Sequence, residues 1–380
     1  GACLWPDVLF YSLFARDDLS TEWIAWAKGR GDDRNQRLST GMFVGVTHQL
    51  SGRCALQFFP RRGTPFSVLE LLLLIVCIAL AGVGLPQSLQ DVAVLTFLWA
   101  GLALAWNIAG GYAGLISFGH AAFFGIGAYT STILFVRAGI TPWIGIWCGA
   151  VLTGAFGALL ALICARLRGP FLILSTLAAA EVVRIGALNW ASLTGGPEGL
   201  SIPPVPGLAN MVFASKATYV VIMLLFLLGV YAITKFLEGS RYGYYLFSVR
   251  DDADAASAAG VNPLAARTAA MALSAGLTGI GGSLFAQYFL YLDPTFVISP
   301  EISFQFALLA AVGGLGTAIG PVLGSFLITP MSELLRSYLG SQAAGLHLVI
   351  YSALLIVVML YFPGGIAGAL ARLAGRRNKP

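Results

Sequence analysis

The run TYVVIMLLFLLGVYAITKFL (residues 218–237) is twenty residues long and carries one charge, Lys235. As an α-helix it extends about 30 Å, the thickness of the hydrocarbon core of a bilayer. A helix at the surface of a soluble protein keeps one polar face, and this run has none to offer. Its reading as a membrane-spanning helix therefore decides the fold. The rest of the chain agrees: of 380 residues, 58% are hydrophobic and only 10% are charged, with a mean hydropathy of +0.82. Soluble domains carry about 25% charged residues.

Working outward, similar runs recur. From Phe66 onward ten apolar segments are expected, at 66–85, 89–109, 118–136, 142–164, 171–190, 218–237, 265–291, 302–318, 321–339 and 345–362. The third, eighth and ninth are short or interrupted by Gly and Pro. The expected fold class is all-α: a polytopic membrane protein of about ten transmembrane or part-membrane helices with broken Gly-rich segments. Three regions are expected: a charged N-terminal extension at 1–64, a transmembrane domain at 65–364 and a basic tail at 365–380. The extension holds 14 of the 39 charged residues and has no apolar core of the kind a signal peptide needs. It reads as a poorly ordered tail or as a stretch upstream of the true start.

Lys and Arg in short loops orient the spans. Arg53, Arg61 and Arg62 precede the first span, and alternation over ten crossings puts Arg166, Arg168, Arg241, Arg250, Arg267 and the tail RLAGRRNK on that same, cytoplasmic side. Both termini are then expected inside. The opposite loops carry little more than Arg137 and Lys216. The net charge of +5 reflects this bias and gives no reason to expect a nucleic-acid partner. The five Cys, at 3, 54, 77, 148 and 164, form no C-x-x-C pair, so neither a disulfide framework nor a zinc site is expected.

One inside loop stands apart. SVRDDADAASAAGVNP (248–263) places Arg250, Asp251, Asp252 and Asp254 beside an alanine-rich stretch, Ala255 and Ala256, that ends at Gly260. Alanine favours a helix, acids suit its N-terminus, and Gly260 with Pro263 can end it. The expectation is a short helix at the membrane surface with small side chains outward, able to seat in a groove on another protein. The alternative is a solvated connector.

An acid-Ala-Ala-x-x-x-Gly loop between spans resembles the coupling loop of permeases in ATP-binding cassette importers. Three further stretches resemble signatures of the branched-chain amino acid permeases: GGYAGLISFGHAAFFGIGAYT (110–130), RGPFLILSTLAAAEVVRIGALNWASLTGGPEGL (168–200) and AAVGGLGTAIGPVLGS (310–325). Their order is similar to the LivM-type member of the LivH/LivM permease family. The resemblance implies a second, LivH-type permease subunit, two cytoplasmic ATPases docked on the 250–263 loop and a periplasmic substrate-binding protein, all at a bacterial inner membrane. It implies branched-chain or related amino acids as cargo, with urea, amides and aromatic acids as alternatives. No cofactor is expected on this chain; ATP would be bound and hydrolysed by the partners. The rival reading is a self-sufficient channel or secondary carrier.

The chain itself offers no catalytic constellation. None of its four lysines is followed by Ser or Thr, so a phosphate-binding Gly-Lys-[Ser/Thr] is absent, as are H-E-x-x-H and G-x-S-x-G. Candidate pathway or gate residues lie within the signatures. Gly110, Gly111 and Gly114 interrupt two spans, either to line a cavity or to allow close packing. Ser117, His120 and Thr176 are polar groups within apolar surroundings. Glu181 and Arg184, three apart on one helical face, read first as a mutually neutralising pair. Thr194, Gly195 and Gly196 begin an outer Gly/Pro-rich loop, read as a docking platform or gate. Gly316, Gly320 and Gly324 step by four and read as a helix-contact stripe.

Overall fold

A computed structural model describes residues 86–167, 169–339 and 365–369. The extension at 1–64, the spans expected at 66–85 and 345–362, and the basic residues 372–379 lie outside the described residues. α1 (Gln87–Asn107) runs into a π-helical turn (Ile108–Tyr112), followed by α2 (His120–Ala138), α3 (Pro142–Ile163) and α4 (Pro170–Asn189). A single turn α5 (Ala191–Thr194), a 3-10 turn (Gly196–Glu198) and strand β1 (Leu200–Ser201) come next. Then follow α6 (Lys216–Gly239), α7 (Arg241–Asp251), α8 (Ala253–Ala258) and α9 (Pro263–Phe289). Strand β2 (Tyr291–Leu292), α10 (Pro294–Val297), α11 (Pro300–Gly313) and α12 (Gly320–Leu339) complete the order.

Proline opens many of these helices. Pro142, Pro170, Pro263, Pro294 and Pro300 each stand at the start of one, where the missing N–H costs nothing and φ is already helical. Pro263, expected as a stop, is thus the first residue of α9, behind an Asn262 cap whose side chain accepts from the Ala265 N–H at 3.1 Å.

The protein is an all-α polytopic membrane protein. Among the described residues, seven helical spans are long and apolar enough to cross a membrane: α1 with its π-turn, α2, α3, α4, α6, α9, and α10 with α11. α12 covers the ninth expected segment and is as long, but it is not among the seven; it carries Ser325, Thr329, Ser332 and Glu333, with Pro330 in its interior.

Burial grades across the bundle. The apolar window of α1 is 83% buried and that of α9 72%, against 28% for α3 and 17% for α4. α1 and α9 are therefore central. α3 and α4 present Trp147, Val151, Leu159, Phe171 and Val182 outward, an apolar face that in a membrane protein meets lipid or another apolar chain. Glycine sets the closest helix approach: a Cβ on Gly127 of α2 would collide with the Gly279 backbone of α9.

Two breaks differ from expectation. Gly110 and Gly111 do not interrupt α1; they lie in its π-turn, and the chain leaves helical geometry only at 113–119, where Gly114 has φ +68°. Gly316 does not share a helical face with Gly320 and Gly324. It lies in the turn between α11 and α12, at φ +72°, while Gly320 and Gly324 pack against Gly313, Gly314 and Leu309 at the α11–α12 contact. Two features had no sequence expectation at all: α7, and the antiparallel pairing of Leu200 with Leu292 and Ser201 with Tyr291.

Candidate functional site

The charged loop folds as two helices separated by one residue. The Ser240 hydroxyl caps α7, accepting from the Gly243 N–H at 3.2 Å. Burial pushes the Tyr242 hydroxyl up to about 12, and it donates to the Ala266 carbonyl at 2.7 Å, pinning α7 to α9. Asp251 ends α7, and Asp252, in extended conformation, caps α8: its carboxylate accepts from the N–H groups of Asp254 (2.9 Å) and Ala255 (3.0 Å). That satisfies two donors the first helical turn would otherwise leave open. Gly260, at φ +87°, turns the chain back towards α9.

Not every alanine of α8 points outward as expected. Asp254, Ala255, Ser257, Ala258 and Ala259 are exposed, but Ala256 is 4% exposed and packs in the hydrophobic core. A six-residue helix lying against a bundle must turn one side inward, and Ala256 is that side. Beside α8 lies a cavity of about 560 Å³ whose lining includes Cys164, Arg166, Thr176, Asp254 and Arg267.

Behind α8 the Gly-rich signatures converge. Arg250, near the end of α7, donates from Nη1 to the Gly111 carbonyl at 2.9 Å and from Nε to Asp251 at 3.1 Å. Asn107 clamps the α11–α12 turn, accepting from the Gly316 N–H at 2.9 Å and donating to the Thr317 carbonyl at 3.0 Å. Glu238, at the end of α6, accepts from the Tyr112 hydroxyl (2.6 Å) and the Ala318 N–H (3.0 Å), with Lys235 at 3.2 Å from its other oxygen. Gly111, Gly114 and Arg250 thus meet, joined by Asn107, Tyr112, Glu238 and Gly316, which the sequence had not marked for this role.

The other candidates lie elsewhere, apart from Thr176, which also lines the cavity beside α8. Ser117 and His120 are fully buried. The Ser117 carbonyl accepts from Trp106 Nε1 at 2.8 Å and its hydroxyl from the Gly119 N–H at 3.1 Å. Ser274 donates to the Ala105 carbonyl at 2.7 Å, so its oxygen accepts from His120 Nε2 at 2.8 Å, which puts the imidazole proton on Nε2. Thr176 accepts from the Phe118 N–H at 3.2 Å. Together these contacts brace the non-helical stretch 113–119, as backbone at membrane depth requires. Arg184 and Glu181 pair with each other on the outer face of α4, with Nε to Oε2 at 2.9 Å. Thr194 ends α5, and Gly195 and Gly196, at φ +79° and +58°, turn the chain after it, beyond the C-terminal end of α4. Among the described residues no group of three His, Cys, Asp or Glu could hold a metal, and Cys148 and Cys164 are free thiols.

A bundle of broken membrane helices with a capped, exposed helix hung from one end is the build of a multi-pass transport permease. The chain belongs to the branched-chain amino acid transport system permease component family, whose model matches residues 88–359. It is 28% identical over 300 residues to the high-affinity branched-chain amino acid permease protein LivM of Escherichia coli K12, covering 73% of this chain and 69% of the relative. It is 27% identical over 301 residues to LivH of the same organism, covering 74% and 95%. It is also 28% identical over 276 residues to the nucleoside permease protein NupC of Lactococcus lactis, covering 67% and 86%. No solved structure matches the chain significantly.

Proposed function

We propose that this chain is the LivM-type permease subunit of an ATP-binding cassette importer in a bacterial inner membrane, with both termini in the cytoplasm. A LivH-type subunit completes the pathway, two cytoplasmic ATPases bind and hydrolyse ATP, and a periplasmic binding protein delivers cargo at the far end. The single observation that carries this reading is α8. It is a helix of small side chains, capped by Asp252 and closed by Gly260, exposed on one side and sealed to the bundle by Ala256. A smooth, short helix of this kind fits a groove on a partner.

The test is Ala255→Glu and Ala258→Glu in the full complex. Both positions are exposed, so membrane levels should hold. Burying an unpaired carboxylate in a protein groove costs a few kcal/mol, which weakens ATPase co-purification roughly ten- to a hundredfold. Uptake should fall with it. Full uptake by both variants would overturn the reading in favour of a self-sufficient carrier.

For cargo, the family and the relatives named LivM and LivH support branched-chain amino acids. The similarity to NupC supports nucleosides as a second reading. Uptake of labelled leucine competed by unlabelled nucleoside separates the two: competition by nucleoside and not by isoleucine would favour the second.

A further inference from the structure

We infer that Arg250 is a positioning residue that carries movement of α8 to the broken ends of α1 and α11, with Glu238 as the second anchor of the same junction. The inference rests on the reading of α8 as the ATPase-docking helix and deepens it. Arg250 is close enough to α8 to follow it: only Asp251 and Asp252 intervene, and the Asp252 N–H is held by the Ser248 carbonyl at 3.0 Å. A displacement of α8 therefore moves the end of α7 and the Arg250 side chain with it.

The guanidinium bears on both broken ends. Its acceptor, the Gly111 carbonyl, belongs to the π-turn that ends α1, where carbonyls lack helical partners and a cation is favoured. Its path is cleared by two glycines from different signatures. A Cβ on Gly114 would lie 2.7 Å from Arg250 Cγ, and one on Gly316 would lie 2.8 Å from Nη1. Both glycines sit at positive φ. Asn107 ties the Gly316–Thr317 turn to α1, so the two ends respond together.

Glu238 closes the junction from α6. The Tyr112 hydroxyl that it accepts belongs to a ring 5.2 Å from Phe247, and Phe247 lies 5.1 Å beneath the Arg250 guanidinium. The two anchors are thus joined by a stack of Tyr112, Phe247 and Arg250. A brace that merely stabilised the fold would, when cut, lower ATP hydrolysis and transport together. A transmitting contact, when cut, lowers the cargo moved for each ATP hydrolysed.

The experiment uses the complete importer in proteoliposomes, scoring leucine accumulated, ATP hydrolysed and ATPase retained. In Arg250→Ala, leucine moved per ATP should fall by roughly tenfold or more, within the range typical of coupling between sites, in complexes that retain their ATPases. An unchanged ratio would overturn the inference, and so would a fall that only tracks loss of ATPase. If Arg250→Ala does not assemble, Gly114→Ala decides, since it displaces the same side chain and keeps its charge; an unchanged ratio in assembled Gly114→Ala complexes overturns the inference equally. A wild-type chain that retains no ATPase would sink the underlying reading and the inference with it. A wild-type chain that couples leucine to ATP, beside an Arg250→Ala chain that does so equally, would sink the inference alone.

Discussion

The two ends of α6 are fastened with the same chemistry to different effect. At its first residue Lys216 pairs with Asp91 of α1 at 2.7 Å, and Asp91 also accepts from the Tyr288 hydroxyl at 2.5 Å. Near its last residue Glu238 takes Lys235 and the Tyr112 hydroxyl. Each end is a carboxylate, a lysine and a tyrosine. Their surroundings differ. The Asp91 side chain is 40% exposed and that of Glu238 only 17%, and Glu238 also accepts a backbone N–H from the turn ahead of α12. The first set ties helix ends at an open surface, where ion pairs add little. The second serves three elements at once in a closed site, where every donor left unpaired is expensive. Burial and the number of elements joined, rather than residue type, separate a fastening from a junction.

The largest effect should follow from Glu238→Ala. It strands a buried tyrosine hydroxyl and a backbone N–H. Each unpaired group costs on the order of 1–3 kcal/mol, so a loss of roughly 3 kcal/mol is expected. In detergent the melting temperature of the variant should fall by several degrees, at the size of this domain. A melting temperature unchanged within a degree would erase the distinction between the two ends of α6. Asn107→Leu should rank next. It keeps the number and branching of the side-chain heavy atoms and removes both bonds to the Gly316–Thr317 turn, at a cost of roughly 2 kcal/mol. Its loss should be independent of salt, because the broken bonds are uncharged.

Much of this was legible beforehand, for physical reasons that also mark where legibility stops. Runs such as 142–164 and 218–237 emerge as α3 and α6 within about two residues, because twenty apolar residues admit no other reading in lipid. The short helix expected over 254–260 appears as α8, since Asp252 and Gly260 are strong local signals at its two ends. α7 was missed although its buried positions, Gly243, Leu246 and Val249, step by three; its charged residues masked the pattern. The inward face of Ala256 had no signal, as one alanine looks like the next until the bundle supplies a surface. The Arg250 junction was half legible. Arg250, Gly111 and Gly114 stood out as local motif residues, but the bonds from Asn107 to Thr317 and from Ala318 to Glu238 join positions 210 and 80 residues apart. No single stretch of sequence contains such a pairing.

The smallest effect should belong to Asp91→Asn. The amide keeps the size of the side chain and can still accept from the Tyr288 hydroxyl, so only the charge on Lys216 loses its partner. Lys216 is 43% exposed, so it can rehydrate where it stands. The cost should be below about 1 kcal/mol, the range of exposed ion pairs. Exposure also gives the charge pair at this end a stronger salt signature than the more buried pair at the other. At about 1 M salt the screening length falls to about 3 Å, so an exposed pair contributes even less. The gap in melting temperature between wild type and Asp91→Asn should therefore narrow as salt rises. The gap for Glu238→Ala should persist, because the unpaired Tyr112 hydroxyl and Ala318 N–H are not relieved by ions in solution. If both gaps close together in salt, the Glu238 site is more open than its burial implies. The Arg250 contact would then rest on a looser junction than the one inferred here.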